Sequence, residues 1–189
     1  MSAPLHAWAT CLDTLLDQVW TRLIRGVHDR RTASHNLTLA TTSAKGLPEC
    51  RTVVLRGADR DAGTLEIHTD RASAKVAALS LQPHAALHTW DNRVRLQIRL
   101  LSRASLHHGS EVESIWQRLG EKSRLAYGGH PTAGTPIDES DAYEKNPGFD
   151  AFVVVRLEIQ SIDALHLGRP HRRARFDRND NWTGQWLVP

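Results

Sequence analysis

The apolar positions of the first thirty residues recur at helical spacing. Leu5, Trp8, Leu12, Leu15, Leu16, Val19, Trp20, Leu23 and Val27 share one face, which predicts a helix over residues 1–31 that docks on a core. Pro4 suits its first turn. Arg22, Arg25, Arg30 and Arg31 suit its last turns, where cations meet the negative pole of the helix. After His35 the period becomes two. Residues 36–42 alternate as a strand, 43–48 read as a turn, 49–56 as a second strand, 57–63 as a hairpin loop and 64–70 as the returning strand. Ala72, Val76 and Leu79 share a face, predicting a short helix over 72–81. Residues 85–90 form a strand, Asp91 and Asn92 a tight turn, and 94–106 a long strand with alternating charges. A helix is expected over 111–119. Residues 125–145 are rich in Gly, Pro and Thr and read as a long loop or lid. Residues 152–159 are the most buried strand, and one or two short strands follow within 162–189.

The order is α-β-β-β-α-β-β-α-β-β, with hairpins rather than helical crossovers between most strands. This predicts a mainly β protein, an antiparallel barrel with covering helices in one domain over residues 1–189, and argues against a doubly wound parallel sheet. Composition agrees with a packed domain: of 189 residues, 40% are hydrophobic and 24% charged. No apolar run reaches the ~20 residues a membrane span needs, and no basic-then-apolar leader opens the sequence, so a cytoplasmic setting is expected. Cys11 and Cys50 are expected to be free thiols. The net charge of +3 is too small for a dedicated nucleic-acid binder, but arginine outnumbers lysine by 20 to 4, and arginine suits phosphate and carboxylate. GxGxxG, GxxxxGK[ST] and GxSxG are all absent. His84 and His88 share a strand face, but no carboxylate stands at a suitable offset, so no metal site is expected.

Four segments carry candidate chemistry. Arg51 and Arg56 flank an apolar strand run. The stretch from His68 to Lys75 leads a strand into a helix and sets Ser73 and Lys75 at its start, where open amides, a hydroxyl and an ammonium make an anion site. Arg95, Gln97 and Arg99 share one strand face, from which a polar side chain can bond a flat heteroaromatic ring. Five arginines lie within residues 169–178, where Phe176 is the one aromatic available for base stacking.

Taken in order, RTVVLR, a strand ending in HTD, S-x-K on a helix, TW before a polar-alternating strand, HRRxRF and a terminal W…LVP resemble the pyridoxamine 5′-phosphate oxidase family of FMN-binding split barrels. The resemblance covers roughly residues 30–189 and is closer to the shorter, oxidase-related members than to the standard vitamin-B6 enzyme. It implies an antiparallel Greek-key split barrel and a homodimer with FMN in two interface clefts. It also implies roles for individual residues. Arg51, Thr52, Val53 and Val54 would line the flavin, with Arg51 on the phosphate. His68 and Thr69 would contact the flavin, Ser73 and Lys75 the phosphate, Gln97 the ring, and Thr132 and Arg175 the cofactor's remaining polar groups. Counted from Trp90, Gln97 falls one residue late, so a shift or bulge is required.

The substrate side departs from the family pattern. Arg56 replaces a lysine, Ile115 and Leu119 stand where a tyrosine and an arginine are expected, Leu165 replaces a tryptophan, and His171-Arg172-Arg173 reverses an Arg-x-His pair. Arg56, Ser123, Arg124, His171 and Arg173 remain to hold a small anionic amine or alcohol, whose oxidation by FMN is the expected activity. Other split barrels bind a deazaflavin or haem, the latter requiring His166 and His171 as ligands here. A module of another class would use the arginines of 169–178 to bind anions or nucleic acid without catalysis.

Overall fold

The computed structural model describes residues 6–189, so Pro4 and Leu5 of the expected first helix lie outside the described residues. A 3-10 turn, Ala7–Thr10, precedes α1 (Leu12–His28). The single helix read over 1–31 is therefore broken at Cys11, whose backbone is extended. The break is held by hydroxyls: Thr10 Oγ1 donates to Ala7 O, and Thr14 Oγ1 donates to the carbonyls of Trp8 and Cys11. Trp8 consequently leaves the helical stripe and packs edge-on against His166. Arg30 and Arg31 lie beyond the helix end.

The strands are β1 (Asn36–Thr42), β2 (Pro48–Asp59) and β3 (Thr64–Asp70), followed by α2 (Ala74–Leu81), β4 (His84–Asp91) and β5 (Leu96–His107). Two short helices, α3 (Glu113–Arg118) and α4 (Glu121–Arg124), lead into an excursion tied by the two-residue strands β6 (Gly129–His130) and β7 (Glu144–Lys145). The chain ends with β8 (Phe152–His166), β9 (Arg172–Asp177) and β10 (Gly184–Leu187). All pairings are antiparallel. In the order β8-β3-β2-β1-β4-β5, the last strand pairs again with β8, closing a six-stranded barrel that β9 and β10 extend from the far half of β8.

Two bulges set its shape. In β2, Leu55 pairs Ile67 and Gly57 pairs Glu66, so Arg56 is the extra residue. In β8, Ile159 and Ser161 pair with consecutive residues of β5, which leaves Gln160 extra. At Gln160, β8 ends its pairing with β3 and begins its pairing with β9, a bend that a bulge permits. The bulge also shifts the alternation, from Val153, Val155, Leu157 and Ile159 inward to Ile162, Ala164 and His166 inward. That phase change is why the sequence pattern separated one fifteen-residue strand into two.

The barrel interior is aliphatic (Leu37, Leu39, Leu55, Ile67, Leu87, Ile98, Val155 and their neighbours), and Leu15, Val19, Trp20 and Leu23 of α1 join the same core. The approach is close at Gly26, where a Cβ would strike the Ser34 carbonyl; His35 Nδ1 lies 2.7 Å from Gly26 O. A second apolar cluster forms on the outer face of β8, where Phe152 and Val154 lie under Val112, Ile115, Trp116, Leu119, Tyr127 and Phe149. Among the described residues, no helix is long and apolar enough to cross a membrane.

His166 is fully buried between His6 and Trp8, and neither ring nitrogen has a partner among the described residues. Gly168 lies so close that a Cβ there would collide with the ring. Burial first, then the nearby charges of His6 and Arg172, push its pKa down. The unfolded chain therefore takes up a proton that the folded chain refuses, so stability is full above the unfolded imidazole's pKa of about 6.5 and falls as the pH drops through it. Thermal denaturation at stepped pH is expected to show this loss, up to about 1.4 kcal/mol per pH unit, and a flatter profile for His166→Phe.

Candidate functional site

Cations converge where β3 runs into α2. Arg51, on β2, donates from Nη1 to Thr41 Oγ1 at 2.7 Å and from Nη2 to Glu49 Oε2 at 2.9 Å. Lys75, in the first turn of α2, donates to Thr69 Oγ1 at 2.9 Å, and Ser73 Oγ lies 3.1 Å from the same oxygen. Burial lowers the Lys75 pKa, and the positive charge of Arg51 adds to the effect, against Asp70. The amides of Ala74 and Lys75 have no backbone partner among the described residues. Two crowded cations, two hydroxyls and two open helix-start amides are complementary to a dianionic phosphate. Asp70 shapes the turn by accepting from the amides of Ala72 and, across the fold, Gly128. Thr132 borders this turn, lining a hollow with Asp70, Arg71 and Ala72.

The strands on either side extend the site. Thr52 and Val54 face outward from β2, whereas Val53 is 8% exposed and packs inside the barrel, so only its main chain is available to a ligand. His68 also faces outward, but Phe152 covers it edge-on at 5.1 Å. Its Nε2 lies 3.0 Å from Glu66 Oε1, and its Nδ1 is buried with no partner. That hydrogen bond holds the Glu66 carboxyl below the usual range. Arg56, displaced by the bulge, stands beside the Tyr127 hydroxyl; burial pushes the phenol's pKa up and the guanidinium opposes it.

The remaining expected residues are placed differently. Arg124 donates to the carbonyls of Trp116 and Gln117 and lies over the Trp116 ring at 5.1 Å, so it holds α3 against α4 rather than standing free for substrate. Ser123 sits one residue before it, half-buried in α4. Ile115 and Leu119 pack into the outer apolar cluster. His171 is exposed, and His166 has no open face, so the pair required for haem ligation is not assembled. The arginines of 169–178 do not form a free basic run: Arg173 pairs with Asp163, Arg175 with Asp177 and Arg178 with Glu158. Burial works against the Asp163 charge, but Arg173 and Arg99 outweigh it and hold the carboxyl below its usual range.

Gln97, Arg173 and Arg175 lie on the same outer face, farther round the sheet. Gln97 pairs with Trp90 on one side and Leu165 on the other, and the turn before it runs to Arg95, whose backbone is left-handed. The long strand therefore begins at Leu96, later than the alternation suggested. A single row runs outward-facing from Thr52 through Thr38, His88, Arg99 and Asp163 to Arg175. Five strand spacings, about 24 Å along the sheet, separate its ends. One chain thus carries two separated groups of polar residues on this face.

The family model for the pyridoxamine 5′-phosphate oxidase FMN-binding domain matches residues 7–108. The chain belongs to this family. A curated relative, pyridoxine/pyridoxamine 5′-phosphate oxidase 2 of Arabidopsis thaliana, is 26% identical over 183 residues, covering 88% of this chain and 91% of the relative. A pyridoxamine 5′-phosphate oxidase-related, FMN-binding protein from Nostoc punctiforme superimposes with a TM-score of 0.77 at 27% identity, covering 98% of this chain and all of that one. PhzG from Burkholderia lata, solved with tetrahydrophenazine-1-carboxylic acid, gives 0.76 at 20% identity, covering 100% and 99%, a likeness of fold. The architecture is that of the split barrels.

Sequence reasoning missed Tyr127, Glu66 and Thr41. Glu66 was legible as the i−2 neighbour of His68 on the same strand face. Tyr127 was hidden at the start of a stretch with little apolar content, and Thr41 acts across a strand pairing. The anion cradle predicts that saturating orthophosphate raises the melting temperature of the protein freed of bound ligand by about 5 °C. Lys75→Met is expected to abolish that increment, as read by thermal denaturation with and without phosphate.

Proposed function

We propose that the protein is an FMN-dependent oxidoreductase acting on a small anionic amine or alcohol, with FMN held between two copies of the chain. The observation that carries this reading is the cradle of Arg51, Thr69, Ser73 and Lys75 at the start of α2, whose mutually destabilising cations suit a terminal phosphate. The residues present fit FMN: the phosphate end has its donors, Thr52 and Val54 offer a flat strand surface beside it, and the unpartnered Nδ1 of His68 can accept a hydrogen bond. When bound, FMN supplies hydride acceptance from a substrate carbon, and the protein's part is binding, orientation and electrostatics.

Arg56 stands beside the buried Tyr127 at the edge of the outer apolar cluster, and contact with the Tyr127 hydroxyl steadies its guanidinium for a substrate anion. The aromatic cluster of Trp116, Tyr127, Phe149 and Phe152 excludes water from that side. Ile115 and Leu119 bring no charge to it, which disfavours a phosphate ester gripped from α3 and leaves Arg56 to recognise the anion. Gln97 and Arg175 lie too far along the same sheet to reach a ring held at Val54, so a second copy would bring them. The outer face fits such a contact: Leu101 is 54% exposed and, with Ala40, Ala86 and the Arg99–Asp163–Arg173 cluster, lines a shallow pocket of about 310 Å³. A two-fold axis through it would repeat each half-site.

The purified protein is expected to be yellow and to release FMN on denaturation, identified by mass; a colourless protein that takes up no added FMN would sink this reading. Arg51→Ala and Lys75→Ala are each expected to weaken FMN binding roughly ten- to a hundredfold, the loss of one charged hydrogen bond, as measured by fluorescence titration. Leu101→Asp is expected to yield monomers that lose flavin, checked by light scattering alongside the visible spectrum.

A further inference from the structure

The arginines at the end of α1, which the flavin reading leaves unused, meet Arg93 from the β4–β5 turn across more than sixty residues of sequence. Together they line a groove of about 750 Å³, within the range of small-molecule sites. Arg22, Arg25, Arg30, Arg31 and Arg93 face it, and among the described residues the acids on its wall are Asp29 and Asp91, leaving three positive charges in excess. The two acids act as positioners. Asp29 accepts from the Arg31 amide at 3.1 Å, from Arg25 Nη2 at 2.9 Å and from Arg31 Nε at 3.3 Å; the amide first, then the guanidiniums, keep its pKa at about 2. Asp91 takes Arg22 Nε at 3.3 Å while Gln18 Oε1 takes its Nη1, and the Trp8 ring lies under the guanidinium. Arg30 and Arg93 are exposed and have no acidic partner among the described residues. Trp90 forms the far wall with 36% of its surface open, and Asn36 and Thr32 add neutral polar groups.

We infer that this groove is a second ligand site, separate from the flavin cradle, for a small nucleotide-like molecule. Its phosphates lie against Arg25, Arg30, Arg31 and Arg93, and its flat base lies on Trp90. Guanidiniums fixed by carboxylates match phosphate oxygens in pairs, and an open indole gives a base a stacking surface. A solvated charged face would leave its arginines splayed over a convex surface; here they converge on a concave one with an aromatic wall.

The test is calorimetric titration of the protein as purified, without divalent cations, using ATP, tripolyphosphate and adenosine as probes. Tripolyphosphate is expected to bind, ATP to bind at least fivefold more tightly through stacking, and adenosine to bind weakly. Arg30→Ala and Arg93→Ala should each weaken ATP about tenfold. Trp90→Leu should erase the advantage of ATP while leaving tripolyphosphate unchanged. Lys75→Met should leave ATP binding unchanged, which separates this site from the flavin cradle and makes the result independent of whether FMN binds there. Absence of ATP binding, or ATP binding that falls with Lys75→Met but not with Arg30→Ala and Arg93→Ala, would overturn the proposal. So would a decathymidylate that binds through the same arginines more tightly than ATP, marking a nucleic-acid surface instead.

Discussion

One strand determines the architecture. β8 pairs along one edge with β5 and along the other first with β3 and then with β9, and the change of partner falls at the extra residue Gln160. Without that residue the strand would run on straight, and its far half could not bend away from the barrel to take β9 as partner. With it, a single strand closes the barrel and starts the extension that carries Arg173 and Arg175. The inward side of β8 fills the barrel, while the outward side chains of Phe152 and Val154 support the second apolar cluster. The outer aromatic cluster under α3 and the outer face bearing Arg175 are both consequences of one bent strand.

The site placed on this frame is electrostatically uncomfortable by itself. Lys75 is half-buried beside another cation, and its own preference shifts toward the uncharged form. Thr41, Glu49 and Thr69 hold the two cations in place without neutralising both. Such a cluster is costly unless an anion joins it. By contrast, Arg173 and Arg175 already have carboxylate partners, so their geometry is fixed by the protein alone. The two groups therefore differ in kind: one has a cation left unbalanced, and the other is fixed by its own carboxylates.

The barrel was legible because its strands obey a period of two and its hairpins carry turn residues. The alternation identified β1, β3 and β4 nearly to their ends. It failed where an extra residue changed the phase, at Gln160, and where a left-handed Arg95 delayed the start of β5. It also failed at Cys11, where hydroxyl-to-carbonyl bonds compete with helix formation. Local chemistry is legible in the same way: Ser73 and Lys75 at a helix start suggest an anion site, and both side chains meet Thr69. What Arg124 does was not legible, because its partners are main-chain carbonyls of an adjacent helix. No residue type announces that a guanidinium will be occupied by backbone oxygens. The separation of Thr52 from Arg175 was equally hidden, because it depends on the order of strands across the sheet.

The bent strand also constrains how the chain reaches this state. Thr64 pairs with Glu158 and Asp70 with Phe152, so β3 waits for a partner made some ninety residues later. β5 waits as well, for its pairings with Val154 through His166. Closing loops of that length is entropically unfavourable before any contact rewards it, and barrels dominated by such pairings fold slowly. Until β8 arrives, β3 and β5 offer open hydrogen-bonding edges flanked by Leu65, Ile67, Ile98 and Leu100, the kind of surface on which unfinished chains associate wrongly. The residue that gives the native barrel its closure therefore lies in a segment that a growing chain acquires only some ninety residues after β3.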